Sequence, residues 1–100
     1  MEKRKVFSIP KGGFKGQKLI ELVQLSSSFE GEVYIEKDNK IINAKSILGV
    51  LSLLMPSKTG MFMISVQGKD AEYTIQQITT IIEKQMTTRS NLPLWGSGWY

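Results

Sequence analysis

The apolar positions near the start of the chain change from a strand pattern to a helix pattern. Lys5–Ile9 has the β-branched and aromatic content of a strand, which Pro10 ends. From about Gly16 the apolar side chains recur about every 3.6 residues, which is the helical spacing. The sequence therefore predicts a strand followed by an amphipathic helix.

The middle of the chain predicts a hairpin and a short helix. Glu32–Glu36 has strand-like alternation, Asp38-Asn39 is a turn sequence that allows unusual φ values, and Lys40–Asn43 resumes the strand. Ser46 is a good N-cap for an apolar helix that runs to about Leu54.

The last part of the patterned region predicts a further strand and a longer helix. The strand has Met61 and Met63 on its outer face, and Asp70 can cap a helix that extends to about Lys84. The resulting order is βαββαβα. We expect an α+β domain over residues 1–85, in which three helices cover one face of a four-stranded antiparallel sheet.

Composition excludes several classes of site. The chain contains neither cysteine nor histidine, which excludes disulfides, thiolate metal sites, thiol nucleophiles and imidazole acid–base chemistry. Its apolar stretches are far shorter than the roughly 20 residues that span a bilayer, and its start does not resemble a signal peptide. We expect a cytoplasmic protein with no metal, no cofactor and no membrane association.

Positive charge is concentrated at the start of the chain. Residues 1–18 carry six basic side chains against Glu2 alone, whereas residues 19–100 carry seven basic and eight acidic ones. Such a local field suits an acidic protein partner, a phosphate group or nucleic acid. Nucleic acid is disfavoured, because no arginine-rich stripe or aromatic strand motif accompanies the charge. Alternatively, the lysines only solvate an edge strand and a loop.

Residues 86–100 differ in composition and predict a separate tail. They are rich in Thr, Ser, Asn, Pro and Gly, yet Trp95 and Trp99 would favour burial. The tail is either a disordered appendage or a segment that docks on the open side of the sheet, most strongly on a second copy in a homodimer. The sheet residues expected to receive it are Tyr34, Met61 and Met63.

The segment Asn43–Leu53, with the sequence NAKSILGVLSL, carries a specific resemblance. It resembles the regulatory-serine segment of HPr, the phosphocarrier of the bacterial sugar phosphotransferase system, and of its Crh-type relatives. The similarity covers about residues 2–85, with one extra residue near Pro56–Thr59, and implies the HPr-like open-faced β-sandwich. It also implies regulatory phosphorylation at Ser46. The apolar residues beside it are implied to dock an HPr-type serine kinase/phosphorylase and a transcriptional regulator: Ile47, Leu48 and Leu51.

The phosphocarrier loop departs from that family. The family pattern is Gly-x-His-Ala-Arg-Pro-Ala, whereas Gly13–Leu19 here has the sequence GFKGQKL. Lys15 stands in the position of the histidine, and Gln17 and Lys18 replace the arginine and the proline. A solvated lysine stays protonated and is a poor phosphoryl acceptor. The loop is therefore expected to be a degenerate phosphocarrier site.

These observations favour a non-catalytic regulatory and binding protein of the Crh type, acting in carbon catabolite regulation. Two alternatives stay open. The chain could be a phosphocarrier that uses an acceptor other than histidine, or an oligomerising scaffold whose Ser46 is never modified. Ser46 could serve only as a helix cap, and its apolar neighbours could serve only in the core.

Overall fold

The computed structural model describes residues 1–84, which form four strands and three helices in the predicted order. The strands are β1 Glu2–Ser8, β2 Glu32–Lys37, β3 Lys40–Asn43 and β4 Met61–Gln67. The helices are α1 Gly16–Ser28, α2 Ile47–Leu54 and α3 Ala71–Lys84. The α+β prediction is confirmed, and the predicted tail, residues 86–100, lies outside the described residues.

The strands form one antiparallel sheet in the order β1-β4-β2-β3, so β1 and β3 are its edges. In the central register, Ile64 of β4 lies between Lys5 of β1 and Ile35 of β2. The inward side chains of β2 and β4 pack beneath the helices as a continuous core. Ile35 and Ile64 are fully buried within it. The other side of the sheet is not covered by any helix of residues 1–84.

Aromatic packing anchors the loop between β1 and α1 to this core. Phe14, at the end of the loop, is buried and meets the ring of Phe62 edge to face at 5.7 Å. Phe7 stacks on the same ring at 5.6 Å. Gly12 and Gly13 have φ values of 84° and 88°, which are costly for residues with a Cβ. The loop is therefore held in one conformation at the start of α1.

The hairpin turn has the backbone that its sequence predicts. Asp38 and Asn39 lie in the left-handed region, with φ values of 53° and 65°. Two successive residues with positive φ match the right-handed twist of the flanking strands, and Asn and Asp tolerate that conformation. The turn fixes the pairing of Lys37 with Lys40 and of Tyr34 with Asn43.

The predicted start of β1 is wrong by three residues, since the strand begins at Glu2 instead of Lys5. The missed residues 2–4 are all charged, and they pair with β4 through Gln67, Val66 and Ser65. Two lysines of β1 also point towards α3. Lys3 Nζ lies 3.7 Å from a carboxylate oxygen of Glu72, and Lys5 Nζ donates to Thr79 Oγ1 at 3.2 Å. Their aliphatic stems can cover the side of the helix, a role that an apolar pattern does not reveal.

Candidate functional site

Ser46 is the N-cap of α2, as predicted. It has the extended backbone of a cap, and its Oγ accepts a hydrogen bond from the backbone N–H of Gly49 at 3.1 Å. Its carbonyl oxygen accepts from Val50 N at 3.0 Å. The residue is exposed, so the hydroxyl faces solvent while it satisfies one of the free donors of the first helical turn.

The three residues before Ser46 hold it in place. Asn43 Oδ1 accepts from Lys45 N at 2.8 Å, a local turn that orients the chain towards the helix. Ala44 is buried and its N–H donates to Val33 O at 2.8 Å, while Lys45 Nζ donates to Phe29 O at 3.1 Å. These hydrogen bonds fix the backbone of residues 43–45 and therefore the position of Ser46.

Gly49 keeps the space around the Ser46 hydroxyl open. A Cβ at this position would lie 3.2 Å from Ser46 Oγ and 3.6 Å from Ile42 Cβ. Gly49 was not among the predicted site residues, although a glycine inside a helical pattern is a recognisable signal of a packing or functional constraint. It supplies both the donor to the serine and the room around the serine.

The electrostatic setting of Ser46 favours an anion. The first turn of α2 contains no acidic residue, and the positive end of the helix dipole lies there together with the free N–H groups. Within residues 1–84, no group of three or more acidic, histidine or cysteine side chains could hold a metal ion. The chemistry available at Ser46 is therefore that of an exposed hydroxyl beside backbone donors.

Two apolar side chains next to Ser46 face solvent. Ile47 is 41% exposed and Leu48 is 75% exposed, so two neighbouring apolar side chains lie at the surface beside the serine. Leu51 is partly buried and packs against the core, whereas Val50 and Leu54 are fully buried. Of the three predicted docking residues, Ile47 and Leu48 are therefore exposed, whereas the Leu51 side chain is partly exposed and partly packed in the core. We call the surface formed by Ser46, Ile47 and Leu48 the α2 patch.

The loop that was predicted to be a degenerate phosphocarrier site places Lys15 at the N-cap of α1. Its backbone is extended, its carbonyl oxygen accepts from Lys18 N at 3.0 Å, and its side chain makes no capping hydrogen bond. The Lys15 and Gln17 side chains are exposed, and Lys18 Nζ lies 3.7 Å from Glu21 Oε1. The three residues are together at the start of α1, as the sequence predicts.

The basic first segment is divided between two places. Lys3 and Lys5 face α3, where Lys3 lies beside Glu72 and Lys5 donates to Thr79. The Lys58 side chain lies next to this loop. Its Cδ is 3.3 Å from the place that a Cβ on Gly13 would take. It also lines, with Lys11, a shallow depression of about 620 Å³. Lys58 was missed because it is distant in the sequence.

The uncovered side of the sheet carries the residues predicted to receive the tail. Met61 is 59% exposed, and Tyr34 and Met63 are half-buried. Val6 and Ile41, which were not among the predicted receiving residues, are also exposed on this side at 54% and 63%. The strand register aligns Val6, Met63, Glu36 and Ile41 across all four strands. We call the surface formed by Val6, Tyr34, Ile41, Met61 and Met63 the open face.

Charged groups border the open face at one end. The Arg4 guanidinium donates to Glu2 Oε2 at 2.9 Å, and this hydrogen bond holds the pKa of Glu2 below its usual value. Tyr34 Oη donates to Glu32 Oε1 at 3.3 Å. The polar end therefore lies near Glu2 and Glu32, while the apolar residues lie towards Val6 and Met61.

Comparison with known proteins identifies the family. Residues 6–84 match the family described as the PTS HPr component phosphorylation site. The HPr-like protein Crh of Halalkalibacterium halodurans is 35% identical over 75 residues, which cover 75% of this chain and 88% of that protein. The HPr-like protein Crh of Bacillus subtilis is 30% identical over 86 residues, which cover 86% of this chain and all of that protein.

Solved structures give the same result. HPr-C-His from Thermoanaerobacter tengcongensis superposes with a TM-score of 0.72 and 33% identity, covering 82% of this chain and 92% of that one. The Bacillus subtilis Crh structure, described as a dimer with a swapped domain, superposes with a TM-score of 0.55 and 27% identity, covering 75% of this chain and 85% of that one. No helix within residues 1–84 is long and apolar enough to cross a membrane. The chain belongs to the HPr family, and the curated relatives it matches include HPr-like proteins Crh.

Proposed function

We propose that this HPr-family protein is a cytoplasmic regulator controlled by phosphorylation of Ser46, and that it does not carry phosphoryl groups in sugar transport. In this proposal it is not an enzyme. It acts in carbon catabolite regulation by binding an HPr-type serine kinase/phosphorylase and a transcriptional regulator.

The geometry of Ser46 is the observation that carries the proposal. Its hydroxyl is exposed at the N-terminus of α2 and already accepts one backbone hydrogen bond, from Gly49 at 3.1 Å. A phosphate on the same oxygen would face the free donors of the first turn and the positive end of the helix dipole. The fold can therefore accept the modification without losing α2.

The α2 patch would change character on phosphorylation. Before modification it presents a neutral hydroxyl beside Ile47 and Leu48. Afterwards it would present an anion of about −1.5 to −2 charge beside the same apolar surface. A partner with a basic side chain next to an apolar pocket would distinguish the two states, because a charge-assisted hydrogen bond forms only with the phosphorylated protein.

The loop at the start of α1 supports the absence of carrier activity. Lys15 occupies the family's histidine position, and its exposed ammonium group has no free lone pair for nucleophilic attack on a phosphoryl donor. Gln17 is neutral and cannot provide the bidentate fork that arginine offers to a phosphate. The alternative function, a carrier with another acceptor, has no comparable support in this loop.

An HPr-type serine kinase with ATP tests the proposal. We expect one acid-stable phosphate on the wild-type chain and none on Ser46→Ala. Ser52→Ala is the matched control, because Ser52 is an exposed serine in the same helix but lies beyond its first turn. Labelling that persists in Ser46→Ala would overturn the assignment.

The phosphoenolpyruvate-driven transfer enzymes test the alternative. We expect them to leave no acid-labile label on the chain, with an authentic HPr labelled in parallel as the positive control. Acid-labile label on this chain would show that it is a carrier. Phosphorylation of Ser46 by the kinase is a separate result, so the two parts of the proposal can fail independently.

A further inference from the structure

The open face is an uncovered apolar surface on a small domain. Its most exposed members are Val6, Ile41 and Met61, each more than half exposed. A shallow depression of about 360 Å³ lies between Val6, Met61 and Met63. An apolar surface of this kind that is rimmed by polar groups is typical of a surface that binds something.

We propose that residues 85–100 of the same chain cover this face, with Trp95 and Trp99 packed against its methionines. Sixteen residues follow α3, and the apolar ones among them are concentrated in the last nine: Leu92, Leu94, Trp95, Trp99 and Tyr100. Methionine is flexible and polarisable and makes favourable sulfur contacts with aromatic rings. The two surfaces are chemically matched, and the proposal does not rest on the function of Ser46.

The end of α3 lies near the edge of the sheet formed by β1, which is a suitable starting point for this contact. Glu72 lies against Lys3 and Thr79 lies against Lys5, so α3 runs along the edge strand β1 towards Ser8. Lys84 is a further five residues along, which adds about 7.5 Å of helix. The remaining chain therefore starts beside the end of β1 at which Ser8 pairs with Met61.

The remaining chain is long enough to turn around β1. The path from the helix layer to the opposite side of the sheet is about 25 Å, counting a layer spacing of about 10 Å and two to three strand spacings of about 4.8 Å. Trp95 is eleven residues beyond Lys84, or up to about 36 Å of extended chain. A short covalent connection gives an effective concentration in the millimolar range, which favours the chain's own face over that of a second copy.

Charge also favours this occupant. Residues 85–100 carry one basic side chain, Arg89, and no acidic one. Glu36 lies in the row between Met63 and Ile41, and no cation of residues 1–84 forms an ion pair with it. A segment without acidic groups can approach this carboxylate without repulsion.

Tryptophan fluorescence of the full chain tests the proposal directly, because both tryptophans lie in residues 85–100. We expect blue-shifted emission that is independent of protein concentration. Val6→Glu and Met63→Glu should each shift the emission towards that of the chain unfolded in denaturant. Leu48→Glu, an equivalent change at an exposed apolar residue away from the open face, should leave the emission unchanged.

Methionine oxidation is a second test of the proposal, and it requires no substitution in the open face. Hydrogen peroxide is applied to the wild-type chain and to a Trp95→Ala/Trp99→Ala variant, and sulfoxide is measured at each methionine. We expect faster oxidation of Met61 and Met63 in the variant. Met55, an exposed methionine at the end of α2, is the internal control, and Thr87→Ala/Thr88→Ala is the control variant.

Two results would overturn the proposal. One is native tryptophan emission equal to that of the unfolded chain, with oxidation of Met61 and Met63 unaffected by the tryptophan substitutions. The other is emission that shifts to the red on dilution while the molecular mass falls from dimer to monomer, since that result would assign the face to the tail of a second copy.

Discussion

The backbone N–H of Gly49 donates to the hydroxyl oxygen of Ser46 at 3.1 Å, and the same glycine leaves the space beside that oxygen empty. One residue thus stabilises the start of α2 and keeps the serine accessible. This pairing connects the stability of the helix to the proposed modification, since both use the same oxygen atom.

Removal of the Ser46 hydroxyl should destabilise the protein. Ser46→Ala deletes the acceptor of the Gly49 N–H, and loss of an N-cap lowers the free energy of unfolding by about 1 kcal/mol. Ser46→Asp should restore most of this, because a carboxylate caps the same donor and interacts favourably with the helix dipole. Urea denaturation measures both. A loss in Ser46→Ala no larger than that in Ser52→Ala would contradict the capping role.

A methyl group at position 49 should separate helix stability from modification. Gly49→Ala improves helix propensity by up to about 1 kcal/mol, but its Cβ would lie 3.2 Å from Ser46 Oγ. Because of this close approach, we expect the free energy of unfolding to rise by less than the gain in helix propensity. We also expect a slower initial rate of phosphorylation of Ser46. Gly16→Ala is the control, since a Cβ there meets nothing within 4 Å. Equal phosphorylation rates for wild type and Gly49→Ala would show that the space beside Ser46 is not needed.

The α2 patch should bind a partner through Leu48. Leu48→Glu places a charge on a side chain that is 75% exposed, so the free energy of unfolding should change by less than about 0.5 kcal/mol. Binding of Ser46-phosphorylated protein to the transcriptional regulator should weaken at least about tenfold, which is about 1.4 kcal/mol. Titration calorimetry measures the affinity. Tyr73→Glu, on the exposed side of α3, is the control and should bind normally.

Restoring the histidine should not restore a carrier. In Lys15→His the imidazole would stand at the N-cap of α1 without the arginine that the family pattern places two residues later. We expect phosphoryl transfer from the phosphoenolpyruvate-driven enzymes to stay far below that of an authentic HPr, because the phosphate lacks an orienting partner. Lys15→His/Gln17→Arg should transfer faster than the single variant. Transfer by Lys15→His at the level of HPr would mean that the loop has lost only its nucleophile.

Elements that depend on local sequence, such as the alternation of a strand, a tight turn or a helix cap, were predictable from the sequence. The alternation in Met61–Gln67, the turn residues Asp38 and Asn39, and the cap at Ser46 each depend on local chemistry and were predicted at the correct positions. Local chemistry is what a single sequence records most directly. These elements were sufficient to give the order of the fold and the place of Ser46 within it.

Features that depend on distant contacts were not predictable. Lys37 extends β2 by one residue beyond the predicted end and is only 9% exposed; its Nζ lies 3.7 Å from the place that a Cβ on Gly60 would take, more than twenty residues away in the sequence. Lys58 approaches the loop of Gly13 from a segment more than forty residues away. The split of exposure between Leu48 and Leu51 likewise depends on how α2 packs on the core, which periodicity alone does not fix.

The proposed function requires a regulatory phosphate on Ser46 and no phosphoryl group that is carried for transfer. Phosphoprotein mass spectrometry of the chain isolated from its native cells, with and without prior acid treatment, tests this most directly. We expect one acid-stable phosphate, on Ser46, whose occupancy changes with the carbon source. A phosphate that is lost in acid and maps to another residue would contradict it.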